Sequence, residues 1–141
     1  MTTAATRPTA SGPPGYAETM PCEPESAKQA RTLVAAALST WGMGELTDAG
    51  TLIVDELVAN AVEHTRCRTV RVVIRRVPRD RVRIGVADTS RAVPGARVPN
   101  EASEGGRGLL LVAALSAHWG YDLRPKGKLV WAELTAYRET T

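Results

Sequence analysis

The stretch DELVANAVEHT, Asp55 to Thr65, decides which fold this sequence predicts. Its apolar residues follow the spacing of an amphipathic helix, at roughly 100° per residue. On such a helix Asn60 and His64 project close to the apolar Leu57, with Glu56 on the neighbouring edge. A helix that only packs a core would rarely carry polar side chains there. The stretch therefore predicts a core helix with a second, chemical task.

Two further helices are predicted on either side of this one. Apolar positions with helical spacing run from Glu25 to Trp41, with Pro24 suited to the helix start and Gly42 to its end. The central helix begins near Thr47, a plausible cap. The third helix, RGLLLVAALSAH, starts at a segment rich in glycine.

Alternating patterns predict the strands. TVRVVIRRV (Thr69 to Val77) and RVRIGVAD (Arg81 to Asp88) alternate β-branched with charged residues around the turn-like PRD, which is typical of an antiparallel hairpin. HWGYDLRP and KLVWAELTA form a second strand pair around PKG, and the residues from Tyr16 to Cys22 add an edge strand. The element order predicts an α/β two-layer sandwich, with a mixed, mostly antiparallel sheet covered on one face by three helices.

The remaining segments set the domain limits. Residues 1–15 are Thr, Ala, Ser, Pro and Gly with one Arg, apart from the initial Met, and predict a disordered tail before a single domain of residues 16–141. The segment from Thr89 to Gly106 is polar and rich in Pro, Gly and Ala, and a loop of that length is usually functional or disordered.

Composition favours one soluble domain. The chain has 141 residues, 43% of them hydrophobic, and a net charge of +3 that would suit phosphate or an acidic partner without requiring nucleic acid. Cys22 and Cys67 are too few and too far apart to suggest a disulfide framework or a metal cluster, which favours a reduced, cytoplasmic setting. No stretch of about 18 consecutive apolar residues could cross a membrane.

Three groups of residues could carry chemistry. Glu56 and Asn60 stand one helical turn apart, so an amide that can bind Mg²⁺ lies beside a carboxylate that can accept a proton, although both could also be structural. Asp88 ends a strand and could accept a hydrogen bond from an exocyclic amine, or simply cap a turn. EGGRGLLLV, from Glu104 to Val112, places Arg107 between glycines at a helix start, which suits either phosphate oxygens or a hinge.

Together, ELVANAVEH (56–64), VADTS (86–90) and GRGLLLV (106–112) resemble the N box and the two glycine boxes of the GHKL ATP-binding superfamily, which has the Bergerat fold. The short single-domain layout resembles the anti-sigma factor serine/threonine kinases, including the actinobacterial ATP-binding regulators of that type. The resemblance spans about Tyr16 to Thr135.

The resemblance implies a role for each matching residue. Glu56 matches the glutamate that serves as general base, Asn60 the asparagine that binds Mg²⁺ between the phosphates, and Asp88 the aspartate that binds the adenine amino group. The implied nucleotide-binding residues are Asn60, His64, Asp88, Gly105, Gly106, Arg107, Gly108 and Leu109, with the loop before them as a lid over ATP.

The resemblance also implies a function and partners. The chain would be an ATP- and Mg²⁺-dependent kinase that phosphorylates an anti-anti-sigma protein of the STAS type and sequesters a sigma factor, commonly as a homodimer. The family pattern has glycines where this chain has Ser90 and Ala92, which favours an alternative: a partner-switching module with a weak ATP site and no kinase activity.

A third reading concerns the basic residues of the hairpin region from Arg68 to Asp88. They could form a nucleic-acid surface, but aromatic stacking residues are absent from the hairpin, so no direct nucleic-acid partner and no membrane partner are expected. The arginines concerned are Arg68, Arg71, Arg75, Arg76, Arg79, Arg81 and Arg83.

Overall fold

A computed structural model describes residues 7–8, 14–78, 80–91 and 104–136, and for residues 7–8 and 104–108 it describes the backbone alone. The helices are α1 (Ser26–Thr40), α2 (Thr47–His64), preceded by a 3-10 turn at Gly44–Leu46, and α3 (Glu104–Leu115). The strands are β1 (Arg7–Pro8), β2 (Gly15–Pro21), β3 (Thr69–Val77), β4 (Arg81–Asp88), β5 (His118–Arg124) and β6 (Gly127–Thr135). None of the described helices is long and apolar enough to span a bilayer.

The strands form one sheet in the order β1-β2-β3-β4-β6-β5. Every described strand pair is antiparallel, so the prediction of a mostly antiparallel sheet in an α/β sandwich is confirmed. The bounds predicted for β3 and β4 agree with the structure to the residue. Strong period-two alternation explains this agreement, because a register slip of one residue would move the apolar side chains to the opposite face.

The core lies between the sheet and the helices. Val70, Val72 and Ile74 alternate along β3 and are buried, whereas the intervening residues face away from the helices. Helix α2 packs against both other helices and against β4, and its Ile53 and Leu57 are fully buried. The helix of the opening stretch is therefore the central helix of the fold.

Gly42 ends α1 as the sequence suggests. Its φ is 68°, in the left-handed region that glycine adopts without steric penalty. The chain then turns through the 3-10 segment into α2, whose first residue is Thr47. No side-chain capping bond occurs at the start of α2, so Thr47 begins the helix without capping it.

The described part of the segment predicted as a disordered tail contains a short strand. Arg7–Pro8 form a short strand that pairs with Ala17 and Tyr16, and β2 already begins at Gly15. The strand predicted at the sheet edge, β2, therefore lies between β1 and β3. Residues 1–6 and 9–13 of the predicted tail are outside the described part of the chain.

The predicted long loop ends earlier than expected. Helix α3 begins at Glu104, three residues before the predicted start at Arg107, so Gly105 and Gly106 belong to its first turn. Glycine is a poor helix former, and its two occurrences hid this turn from the sequence pattern. Residues 92–103, most of the predicted lid, lie outside the described ranges.

Cys22 and Cys67, too few and too far apart in the sequence to suggest a disulfide framework or a metal cluster, lie side by side in the structure. Their sulfur atoms are 3.3 Å apart, and both residues are free thiols. Cys22 follows β2 and Cys67 precedes β3, and these neighbouring strands pair in antiparallel register up to Pro21 and Thr69. The strand pairing brings together two residues that the sequence separates.

Candidate functional site

Several strands and helices begin or end at one edge of the sheet, the edge that is formed by strand ends. Strand β4 ends there at Asp88, which is paired with Lys128 near the start of β6. The pair Pro21 and Thr69 lies at the same edge, since Arg71, two residues after Thr69, is paired with Ala87. Helix α2 leads directly into β3, so its carboxyl end lies at this edge.

Helix α3 begins at the same edge. It follows β4, which ends there, and it precedes β5, whose first residue, His118, is paired with Glu133 towards the opposite edge. Because α2 and α3 pack together, the amino end of α3 lies beside the carboxyl end of α2. The positive end of the α3 dipole and its unpaired N–H groups therefore face the edge where Asp88 lies.

Glu56 and Asn60 lie on the half of α2 that approaches this edge. From His64 at the helix end, Asn60 is about 6 Å and Glu56 about 12 Å back along the axis, given a rise of 1.5 Å per residue. Asn60 is only 8% exposed, although its side chain is an amide. A buried amide within the apolar face of a core helix is unusual unless it contacts a polar group or a ligand.

The pKa of the Glu56 carboxyl is raised from its ordinary value. Partial burial is the largest cause, and the negative charges of Asp55 and Glu63 add to it. A carboxylate whose protonated form is favoured accepts a proton more readily than a solvated one. Its environment therefore suits the role of general base.

Asp88 is held by two donors that the sequence did not reveal. Lys128 Nζ lies 3.1 Å from Asp88 Oδ1, and the Ser90 backbone N–H donates to the same oxygen at 2.8 Å. The side chains of Lys128 and Asp88 are 3% and 2% exposed, so the ion pair is buried. Lys128 Nζ also donates to the Ser90 carbonyl oxygen at 3.3 Å. This network fixes the carboxylate at the strand end and occupies one of its two oxygens.

Gly127 explains how β6 approaches Asp88 so closely. A Cβ atom added at Gly127 would overlap the Asp88 carbonyl oxygen and crowd Thr89. Only glycine allows this contact between the two backbones. A hollow of about 390 Å³ opens beside Asp88, lined by residues of the β5–β6 turn together with Ala87, Asp88 and Lys128.

The other predicted nucleotide-binding residues lie at the end of α2 and at the start of α3. His64 ends α2, and its half-exposed side chain has Nε2 3.7 Å from a Glu63 carboxylate oxygen. Gly105, Gly106, Arg107 and Gly108 lie within the first five residues of α3, and the backbone N–H groups of Gly105 and Gly106 have no helical partners. Leu109 is buried, so it packs against the fold.

The donor types at this edge fit a magnesium nucleotide. Asn60 and Asp88 offer oxygen atoms, which can bind Mg²⁺ or accept a hydrogen bond from an exocyclic amine, and the start of α3 offers N–H groups to phosphate. The described residues do not contain a cluster of three or more His, Cys, Asp or Glu able to hold a metal alone. Mg²⁺ would therefore need phosphate oxygens as further ligands, as is usual for this ion.

Three of the hairpin arginines lie on the sheet face opposite to the helices. Arg71, Arg75 and Arg83 line a groove of about 380 Å³ on the sheet face that the helices leave uncovered. Arg83 is already engaged, because its guanidinium donates two hydrogen bonds to Glu133 and lies 4.1 Å from the centre of the Trp131 ring. The helix-covered face and this groove are separated by the thickness of the sheet.

Sequence reasoning found Glu56, Asn60 and Asp88 but missed Lys128. The available signal was a lysine inside KLVWAEL, a strand otherwise apolar at the positions that face the core. A fully buried lysine is almost always paired with a carboxylate. Its partner could not be chosen from the sequence, because the two residues are 40 positions apart.

Comparison with protein families gives one result. The sequence model described as "Histidine kinase-like ATPase domain" matches residues 20–134, which include the three helices and β3, β4 and β5 in full, the last two residues of β2 and all but the last residue of β6. No curated protein matches the chain.

Proposed function

The chain belongs to the histidine kinase-like ATPase domain family, and from this premise we propose that it is an anti-sigma factor serine/threonine kinase that uses ATP and Mg²⁺. Its substrate would be a Ser or Thr hydroxyl of an anti-anti-sigma protein of the STAS type. The unphosphorylated partner would release the sigma factor that this chain otherwise binds. The observation that carries the proposal is the buried Asn60 one turn from a Glu56 whose pKa is raised.

Each proposed role is that of the matching residue in the resembling family. Asn60 would hold Mg²⁺ between the phosphates without adding charge, and Asp88 would accept a hydrogen bond from the adenine amino group. The first turn of α3, Glu104 to Arg107, would receive phosphate oxygens through its backbone N–H groups. The magnesium ion would supply charge neutralisation to the phosphates.

The transfer itself would be a displacement at the γ-phosphorus. The partner hydroxyl oxygen forms a bond to phosphorus, the bond to the ADP oxygen breaks, and Glu56 takes the hydroxyl proton. Most of the acceleration would come from positioning and charge stabilisation, as is general for phosphoryl transfer. The raised pKa of Glu56 makes its carboxylate a better proton acceptor at neutral pH.

A specific observation favours a second candidate function, a partner-switching module with a weak ATP site. One oxygen of Asp88 is already bound to Lys128 and to the Ser90 N–H group. Ser90 also stands where the resembling family has glycine. Adenine would then compete with an existing network, and the chain could act through partner binding alone.

Nucleotide calorimetry separates the two functions. Mg·ATP at about 100 times its dissociation constant should stabilise the fold by roughly 2.7 kcal/mol, a shift that is easily measured by thermal unfolding. Asn60→Ala should weaken Mg²⁺-dependent binding, whereas Glu56→Ala should retain binding and lose transfer to the partner. Asp48→Ala, at the far end of α2, is the control and should do neither.

The failure conditions differ for the two levels of the proposal. If millimolar Mg·ATP produces neither heat of binding nor a shift in the thermal midpoint, the proposed ATP binding is wrong. The kinase is tested with γ-labelled ATP and a STAS partner that co-purifies from the native cell. If ATP binds normally but the partner is not labelled, the proposed kinase activity is wrong and the binding module is the remaining function. The homodimer expected for such kinases is tested in the same preparation by light scattering.

A further inference from the structure

Two thiols lie in direct contact beside the end of α2. The Sγ atoms of Cys22 and Cys67 are 3.3 Å apart, and each residue is partly exposed. The backbone holds them there, because the Cys22 N–H donates to the Arg68 carbonyl oxygen at 2.8 Å. The contact therefore follows from the pairing of β2 with β3 and does not depend on side-chain rotamers alone.

Thr65 connects this thiol pair to the helix. Its hydroxyl donates to the Ala61 carbonyl oxygen at 2.7 Å. The Thr65 hydroxyl oxygen also lies 2.8 Å from Cys67 Sγ and 3.9 Å from Cys22 Sγ. Thr65 directly follows α2, so any change at the sulfur atoms acts on the end of that helix.

We propose that Cys22 and Cys67 form an oxidation site, at which hydrogen peroxide converts the two thiols into an intramolecular disulfide between the end of β2 and the segment that follows α2. A disulfide bond is about 2.05 Å long, so the sulfur atoms need to approach by only about 1.3 Å. The segments concerned lie outside regular elements, where such a shift meets little resistance.

The order of the two chemical steps follows from the surroundings of the sulfur atoms. Burial, and contact with Cys67, raise the pKa of Cys22 to about 11, so Cys22 stays protonated at neutral pH. Cys67 therefore attacks first: its sulfur loses the thiol proton, a sulfur–oxygen bond forms, the peroxide bond breaks, and the departing hydroxide takes that proton to give water. The Cys67 sulfur is then a sulfenic acid.

Cys22 completes the reaction. Its sulfur attacks the Cys67 sulfur, the disulfide bond forms, the sulfur–oxygen bond breaks, and hydroxide leaves with the Cys22 thiol proton as a second water. Two thiols lose two electrons and two protons, and one peroxide becomes two waters. The product ties the end of β2 to the end of α2, at the same sheet edge as Asp88.

The test uses the full chain, reduced, desalted and treated with hydrogen peroxide. Both thiols should disappear together, the intact mass should fall by two hydrogen atoms, and peptide mapping should link Cys22 to Cys67 within a single chain. The midpoint of thermal unfolding should rise on the order of 10 °C, because the cross-link closes a long loop. Reduction with dithiothreitol should return the midpoint to its original value.

Two serine variants test the order of steps. Cys22→Ser should stop at a sulfenic acid on Cys67 that dimedone traps, whereas Cys67→Ser should keep Cys22 reduced at the same dose. Any of three results would overturn the proposal. The first is disulfides between chains, and the second is separate oxidation of the two sulfur atoms to sulfinic acid. The third is survival of both thiols in the parent chain at a peroxide dose that oxidises Cys67 in the Cys22→Ser variant. None of these readouts requires nucleotide, so the result is independent of the proposed function.

Discussion

Glu56 is a carboxylate that the fold keeps partly buried beside two other acids. Because its pKa is raised on folding, the folded chain binds the proton more tightly than the unfolded chain. Its charge therefore lowers stability above the folded pKa, and this loss disappears as the pH falls below the ordinary value of 4.5. Glu56→Gln should raise stability at pH 7, with no gain at pH 3.5 or below.

Urea unfolding of Glu56→Gln and the parent across this pH range measures the effect. Glu23→Gln, which removes the same charge from an exposed glutamate, is the control and should show no comparable pH dependence. A gain from Glu56→Gln that persists unchanged in acid would contradict the explanation. A group kept at the expense of stability is typical of a functional site.

Lys128 is the residue on which the geometry of Asp88 depends. Lys128→Met removes the cation from a buried pair and leaves the carboxylate with the Ser90 N–H group alone, so we expect a loss of about 3 kcal/mol. Denaturant unfolding measures it, and the double change Asp88→Asn with Lys128→Met should recover much of the loss. Lys126→Met, at an exposed lysine two positions away, should change stability by less than about 0.5 kcal/mol.

Helix α2 joins the core to the proposed site, so its packing should affect both. Leu57→Ala deletes a fully buried side chain next to Glu56, and such changes cost about 2–5 kcal/mol. Leu52→Ala, on the same helix, removes a side chain that is 46% exposed and should have little effect. Chemical unfolding compares the two, and equal losses would mean that α2 is not the central packing helix.

The whole chain should unfold as one unit, because strands distant in sequence are interleaved in the sheet. Strand β6 pairs with β4 along its length and contributes buried Val130, Ala132 and Leu134 to the core. A chain that ends after residue 117 should therefore lose cooperative unfolding, whereas a chain that ends after residue 136 should keep a single transition. Calorimetry decides, and a cooperative transition in the shorter chain would show that β4 does not need β6.

Sequence patterns alone predict the three helices, the strands from β2 to β6, the bounds of β3 and β4, and the face of α2 that carries Glu56 and Asn60. These features depend on residues a few positions apart, where helical and strand periodicity acts directly on side-chain burial. Where glycines interrupt the periodicity, as at the start of α3, the sequence placed the boundary late.

Contacts between residues distant in the sequence depend on the packing of the whole chain. Lys128 reaches Asp88 across 40 positions, and Cys67 reaches Cys22 across 45. Both contacts arise because antiparallel pairing aligns strand ends at one edge of the sheet. The apolar pattern of each strand specifies which face is buried, but the identity of its neighbour follows from packing of the whole chain, which local periodicity does not encode.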